Sequence, residues 1–186
     1  MPQSSVVLET DRLLLRPPQQ ADFDDIYAMW SDINVVRHVT GNAFTKEEAW
    51  ARLLRSAGHW SLMGFGYWVV SEKHSGRFVG EVGFGQFKRG IDPAFDEAPE
   101  IGWMLTAESQ GQGYGTEAVR AALRWADTRW PEAEIVCIIS PDNAPSLALA
   151  KKCSFAQSRA TTYKGKATVV FQREASSREG ESESQN

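Results

Sequence analysis

The chain has 186 residues, of which 42% are hydrophobic and 24% are charged, and its formal net charge is −4. This length predicts one domain that folds around a hydrophobic core without needing disulfides or a metal ion. The body has no basic excess and no apolar run near the roughly 20 residues of a membrane span, so we expect neither nucleic acid nor membrane as a partner.

The first half of the chain is predicted to begin with a strand, followed by two helices. Residues 11–16 form an apolar run closed by two prolines, which indicates a strand. Apolar side chains recur at helical spacing over 23–30 and indicate an amphipathic helix. Thr45 and Glu48 form a capping-box pattern that opens a second helix. We expect this helix to end near Ala57, where glycines begin.

The second half alternates strand and helix patterns. Its predicted strands lie at 67–71, 78–87, 100–105, 135–139, 155–163 and 167–172. One predicted helix has apolar positions over 119–130, and another has Pro145 in its first turn and ends near Cys153. The turn-forming residues 74–77 predict a hairpin between the first two of these strands. The element order predicts an α/β (α+β mixed) fold of three layers, a mixed sheet with helices on both faces. Parallel pairing is expected within residues 100–163.

We expect one domain over residues 1–173 and a disordered tail over 174–186, which has almost no apolar residue to bury. The tail carries a net charge of −3, which leaves the body near neutral. Residues 1–10 lack a signal-peptide pattern. Together with only two cysteines, Cys137 and Cys153, this predicts a cytoplasmic protein with reduced thiols.

A glycine-rich segment between a predicted strand and a predicted helix is the most informative part of the sequence. Glycine lets backbone N–H groups approach an anion without interference from a Cβ atom, and a helix N-terminus adds unsatisfied donors at a positive dipole end. The segment therefore predicts a pyrophosphate-binding loop. Its residues are Gln110, Gly111, Gln112, Gly113, Tyr114, Gly115 and Thr116.

Familiar nucleotide and hydrolase patterns do not fit. A dinucleotide fingerprint would need a third glycine where Thr116 stands, and a Walker A loop would need a lysine between Gly115 and Thr116. No Gly-x-Ser-x-Gly elbow occurs. The three histidines, His38, His59 and His74, show no metal-ligand spacing, so no metal is expected.

At this point the sequence resembles the GNAT superfamily of N-acetyltransferases. Gln110-x-x-Gly113-x-Gly115 is similar to that family's acyl-CoA signature. Residues 8–16 resemble the opening strand of its RimJ/RimL-like branch of ribosomal-protein N-terminal acetyltransferases. Asn143 to Ser146 and residues 152–155 resemble two later motifs of that branch, although Ser154 stands where the family usually has glycine. The resemblance covers about residues 8–173.

The resemblance implies a seven-stranded, mostly antiparallel sheet that is splayed between strands 100–105 and 135–139, with acetyl-CoA in the opening. Pantetheine would pair with the backbone around Met104 and Leu105, where an N–H would also stabilise an oxyanion. The amides of 111–116 would hold the pyrophosphate. The cofactor-binding residues implied in this way are Met104, Leu105, Gln110, Gly111, Gln112, Gly113, Tyr114, Gly115, Thr116, Asn143 and Ser146.

The resemblance also implies direct attack by an amine in a ternary complex. Ser146 is a candidate acid for the leaving thiolate or simply a helix-capping residue, and Tyr163 is the rival acid. Glu100 is the candidate base, or an ordinary carboxylate at a strand end. Acidic residues of the loop 89–99, namely Asp92, Asp96 and Glu97, either draw in a cationic amine or are solvated.

The acceptor is expected to be a primary amine, either a protein N-terminal α-amine or a small molecule. At pH 7, deprotonating a lysine with a pKa near 10.4 costs roughly 4.6 kcal/mol, whereas an α-amine needs only about 1 kcal/mol. A weak base therefore suffices for an α-amine. Two alternatives stay open, a non-catalytic acyl-CoA-binding module and an acyltransferase for longer acyl groups. A homodimer and a monomer are equally compatible with the sequence.

Overall fold

The structure is a computed structural model that describes residues 6–92, 94–95 and 97–176. Its strands, numbered in chain order, are β1 (Leu8–Glu9), β2 (Leu13–Arg16), β3 (Tyr67–Glu72), β4 (Phe78–Gly85), β5 (Glu100–Leu105), β6 (Ile135–Ile139), β7 (Ala156–Tyr163) and β8 (Lys166–Arg173). Its α-helices are α1 (Phe23–Ser31), α2 (Ile33–Val36), α3 (Lys46–Met63), α4 (Tyr114–Arg129) and α5 (Ala144–Lys152).

The sheet has the spatial order β1-β2-β3-β4-β5-β6-β8-β7 and is antiparallel except between β5 and β6. That parallel pair is registered only at Glu100 and Val136, so the two strands diverge toward their carboxyl ends. The predicted mixed, mostly antiparallel and splayed sheet is thus confirmed. The count of seven strands is wrong, because the two-residue strand β1 folds back on β2 and is too short to show a period in the sequence.

Hydrophobic side chains fill both faces of the sheet. One cluster lies under α4 and includes Ile101 of β5. The other lies under α1 and α3 and includes Met104. Since side chains alternate along a strand, β5 directs Ile101, Trp103 and Leu105 toward α4, and it directs Glu100, Gly102 and Met104 toward α3. The position of a candidate residue in this alternation therefore decides on which side of the splayed opening its side chain lies.

Helix α3 is longer than predicted. Its start is confirmed, because the Thr45 side chain accepts from the Glu48 amide and the Glu48 carboxylate accepts from the Thr45 amide. The expected end near Ala57 is wrong: the helix continues through Gly58 and ends at Gly64, which adopts a left-handed φ of 73°. A glycine inside a helix costs only about 1 kcal/mol, which packing of the helix against the sheet can offset.

The far end of the chain lies largely outside the described residues. Of the tail predicted to be disordered, only 174–176 are described, and there Ala175 is buried while the Ser176 hydroxyl donates to the carbonyl of Pro131. The predicted domain boundary stays a prediction. None of the helices in the described ranges has the length and apolar character to cross a membrane.

Candidate functional site

The glycine-rich segment forms the turn into α4. Gly111 and Gly113 have φ angles of 75° and 81°, a left-handed conformation that glycine adopts without cost. Gly115 serves packing instead, because a Cβ atom there would lie 2.8 Å from the Leu149 side chain. Two of the three glycines therefore shape the turn, and the third lets α4 approach α5 closely.

The backbone amides of residues 111–116 point to an anion site. Within the described part of the chain, none of them donates a hydrogen bond to another protein group. They lie at the N-terminus of a sixteen-residue helix, where the helix dipole is positive. A row of unsatisfied donors at such an end is suited to bind phosphate groups. The space beside Gly111 is open, since no atom lies within 4 Å of a Cβ placed there.

Arg12 and Thr10, which lie just before β2, hold this turn in place. The Arg12 guanidinium pairs with Glu117 at 2.7 Å and donates to the Gln112 carbonyl at 3.1 Å. The Thr10 hydroxyl also donates to Glu117, at 2.6 Å. Burial alone would raise the pKa of Glu117, but the hydrogen bonds from Thr10 and Arg12 outweigh it and keep that pKa below its usual value. The segment 8–16 thus contributes side chains that order the glycine turn.

The backbone of β5 faces the splayed opening at alternate residues. In an antiparallel pair, every second residue exchanges hydrogen bonds with the neighbouring strand. Because the Thr106 amide donates to the Val79 carbonyl, the next such residue on β5 is Met104, which bonds to Glu81 on β4. Trp103 and Leu105 then direct their amides and carbonyls toward the opening. The register therefore turns the peptide groups of Met104 away from the opening.

The start of α5 lies across the opening from β5. The Asn143 side chain accepts from the Ser146 amide at 3.2 Å and caps the helix. The Ser146 hydroxyl is not needed for capping and accepts from the Trp103 indole N–H at 3.2 Å. This leaves the hydroxyl with a proton of its own to donate, on the α4 side of the sheet.

Glu100 and Tyr163 meet on the opposite side of the sheet, around Arg89. The Arg89 guanidinium binds both carboxylate oxygens of Glu100 at 2.6 Å, and its central carbon lies 5.0 Å from the centre of the Tyr163 ring. Burial opposes the charge of Arg89, but its hydrogen bonds to Glu100 and Tyr163 raise its pKa above the usual value. The structure thus brings these two candidates together and keeps them apart from Ser146.

Sequence reasoning did not identify two further residues on the α3 side. Glu81 of β4 is only 1% exposed, accepts from the Trp30 indole N–H at 2.7 Å and pairs with Arg52 at 3.1 Å. The Tyr67 hydroxyl lies directly over Gly102, in space that only a glycine leaves open. Burial raises the pKa of Tyr67 to about 12, so its hydroxyl is a neutral donor at pH 7. Two features of the sequence could have identified these residues. Glu81 is a lone carboxylate inside an apolar strand, and glycines such as Gly102 lie inside strands.

The acidic residues of the 89–99 loop do not form a cluster in the described structure. Glu97 pairs with Lys88 at 3.0 Å and its side chain is 90% exposed. Asp92 is also exposed, and Asp96 lies outside the described residues. No group of three or more histidine, cysteine or acidic residues with metal-binding geometry occurs in the ranges that the structure covers.

Comparison with known proteins points to one family. Residues 12–156 match the Acetyltransferase (GNAT) domain. A GNAT-family protein from Bordetella pertussis has a structure with a TM-score of 0.79 and 32% sequence identity, covering 90% of this chain and 99% of that one.

Two other similar proteins agree with this match. The uncharacterised N-acetyltransferase YnaD of Bacillus subtilis is 27% identical over 146 residues, which is 78% of this chain and 79% of that protein. The structure of RimL, a ribosomal L7/L12 α-N-protein acetyltransferase in complex with coenzyme A, has a TM-score of 0.75 at 15% identity and covers 92% of this chain and 99% of that one. At that identity the likeness concerns the fold alone.

Proposed function

The chain belongs to the GNAT acetyltransferase domain family, and on that basis we propose that it transfers an acetyl group from acetyl-CoA to a primary amine. The observation that carries the proposal is the row of unbonded amides at residues 111–116, which suits the coenzyme's diphosphate. The RimL complex with coenzyme A supports the same choice of ligand by analogy.

Residues of β5 and α5 are proposed to hold the rest of the coenzyme. The peptide groups of Trp103 and the amide of Leu105 are available to pantetheine along the opening, while the Leu105 carbonyl accepts from the Gln110 side chain at 3.3 Å. The Asn143 amide nitrogen is free to donate once its oxygen caps α5. The bound thioester supplies the acetyl group: the amine nitrogen bonds to the carbonyl carbon, the carbon–sulfur bond breaks, and the thiolate takes a proton. The attacking nitrogen then loses a proton, which leaves a neutral amide as the product.

The amine must lose a proton before it attacks, and both buried carboxylates near the opening already pair with arginines. Arg89 pairs with Glu100, and Arg52 pairs with Glu81. We propose that Glu100 receives the proton through water. The same arginines disfavour a positive charge nearby and so lower the pKa of a bound amine. This arrangement fits an α-amine better than a lysine.

Ser146 is the proposed acid for the leaving thiolate, and Tyr163 is its rival. Ser146→Ala keeps the backbone amide that Asn143 caps, so α5 is expected to stay folded. Loss of an acid should lower kcat about 100-fold. Tyr163→Phe, made in parallel, is expected to leave kcat nearly unchanged. If only Tyr163→Phe lowers kcat, Tyr163 is the acid and the assignment of Ser146 is contradicted.

A thiol-release assay tests the proposed function. The protein is mixed with acetyl-CoA and a panel of primary amines, and free thiol and acetylated amine are both quantified. We expect amine-dependent release with one acetylated amine per thiol. Tight coenzyme binding without release for any amine would contradict the proposal and favour a non-catalytic binding module. Faster release from propionyl-CoA or longer thioesters would replace acetyl transfer by transfer of a longer acyl group.

The cellular location stays a prediction. Cys137 and Cys153 are both buried, and neither forms a disulfide within the described residues. The oligomeric state also stays a prediction.

A further inference from the structure

The acceptor side of the opening is lined by arginines. Arg52 and Arg55 lie one turn apart on α3, and Arg89 follows β4. The Phe87 ring lies between two of them, 5.3 Å from the guanidinium carbon of Arg55 and 4.6 Å from that of Arg89. Arg52 lies 5.1 Å from the ring of Tyr67, whose hydroxyl covers Gly102. The three guanidinium groups therefore surround the place where an acceptor would reach β5.

The charges around this place do not cancel. Arg52 pairs with Glu81 and Arg89 pairs with Glu100, whereas Arg55 has no ion pair among the residues that the structure describes. Tyr67 is neutral at pH 7. Among these described groups, one positive charge is left over. Desolvation, and then repulsion from Arg52 and Arg89, lower the pKa of Arg55, whose side chain is exposed.

An unpaired guanidinium near the reacting centre selects against simple cationic amines, because like charges repel strongly where water is partly excluded. A planar guanidinium matches the two oxygens of a carboxylate. Resting on the proposed acetyl transfer, we propose that the acceptor is a small amine that also carries a carboxylate, and that Arg55 binds this carboxylate. The single negative charge of a carboxylate balances the one unpaired positive charge of this cluster, whereas a phosphate dianion carries one negative charge too many.

Of the two alternatives for the acidic loop, this proposal favours a solvated loop over one that draws in a cationic amine. Glu97 is paired with Lys88, and its side chain is 90% exposed. On the α3 side, the two buried carboxylates Glu81 and Glu100 are each paired with an arginine. Acceptor choice is therefore assigned to α3 and to the segment after β4, with Arg55 as the specificity-determining residue.

Matched acceptors test the proposal in the thiol-release assay. Each α-amino acid is compared with its own carboxamide, and kcat/KM is measured for both. We expect the acid to be preferred at least about tenfold, in line with a charged hydrogen-bonded pair. Arg55→Gln should reduce this ratio to near one, mainly through a higher KM for the acid. Arg55→Lys, which keeps the charge but loses the fork, should give an intermediate ratio.

A control and three outcomes make the test decisive. Arg124→Gln, on the exposed face of α4, should leave the ratio as in the unmodified chain. Equal rates for acids and carboxamides, or a preference for diamines, would overturn the inference and leave acetyl transfer intact. A preference for phosphate-bearing amines would overturn the choice of carboxylate. Failure to release thiol with any amine would overturn the proposed function, and this inference with it.

Discussion

Gly111→Asp is expected to weaken coenzyme A binding about 100-fold, whereas Gly111→Asn should weaken it only a few-fold. Both side chains have nearly the same shape, both tolerate the φ of 75° at this position, and neither meets an atom within 4 Å at Cβ. They differ in charge. A carboxylate about 5 Å from a diphosphate bearing two negative charges opposes binding by roughly 2–7 kcal/mol for effective dielectric constants between water and a protein surface.

Calorimetric titration with coenzyme A measures this difference, and thermal melting shows that both variants fold. Pantetheine, which lacks the diphosphate, should bind all three proteins alike. Similar coenzyme A affinities for the aspartate and asparagine variants would contradict a diphosphate at this turn.

Arg52→Met is expected to lower the free energy of unfolding by about 3–5 kcal/mol. Glu81, only 1% exposed, would keep the Trp30 indole as a partner but lose its counter-charge. Leaving a buried charge uncompensated is more costly than losing the pair as a whole. Methionine still fills part of the space over the Trp30 ring, where the Arg52 guanidinium carbon now lies 3.8 Å from the ring centre.

The double variant Arg52→Met, Glu81→Gln provides the control, because it removes both charges and retains a group that accepts from Trp30. It should recover most of the lost stability in urea unfolding curves. A loss below about 1 kcal/mol for Arg52→Met alone would show that Glu81 finds water or another partner, and that the Arg52–Glu81 pair does not fix α3 to β4.

Features set by neighbouring residues were predictable from the sequence. The capping box of Thr45 and Glu48 and the start of α5 near Pro145 depend on short-range contacts, and both occur in the structure. Helix α2 has four residues and β1 has two, too few for a hydrophobic period to be recognised. The continuation of α3 through Gly58 depends on packing against the sheet, which propensity does not report.

The same distinction applies to the candidate site. The glycine turn is local, and its amide donors follow from its sequence. The Glu81–Arg52 pair spans 29 residues and forms only when α3 packs on β4, so neither residue was identified from the sequence. Arg89 meets Glu100 only once the 89–99 loop is folded, so the sequence indicated Glu100 as a candidate base without its arginine partner. Ser154 has a φ of 64° at the position where the resemblance leads one to expect glycine, so serine there accepts an unfavourable backbone conformation.

The most direct test of the account is an amide NMR titration of the 15N-labelled 20.7 kDa chain with coenzyme A and, separately, with pantetheine. If the amides of residues 111–116 hold the diphosphate, their resonances should show the largest shifts with coenzyme A and only small ones with pantetheine. Large coenzyme-dependent shifts elsewhere, with these six amides unmoved, would contradict the account.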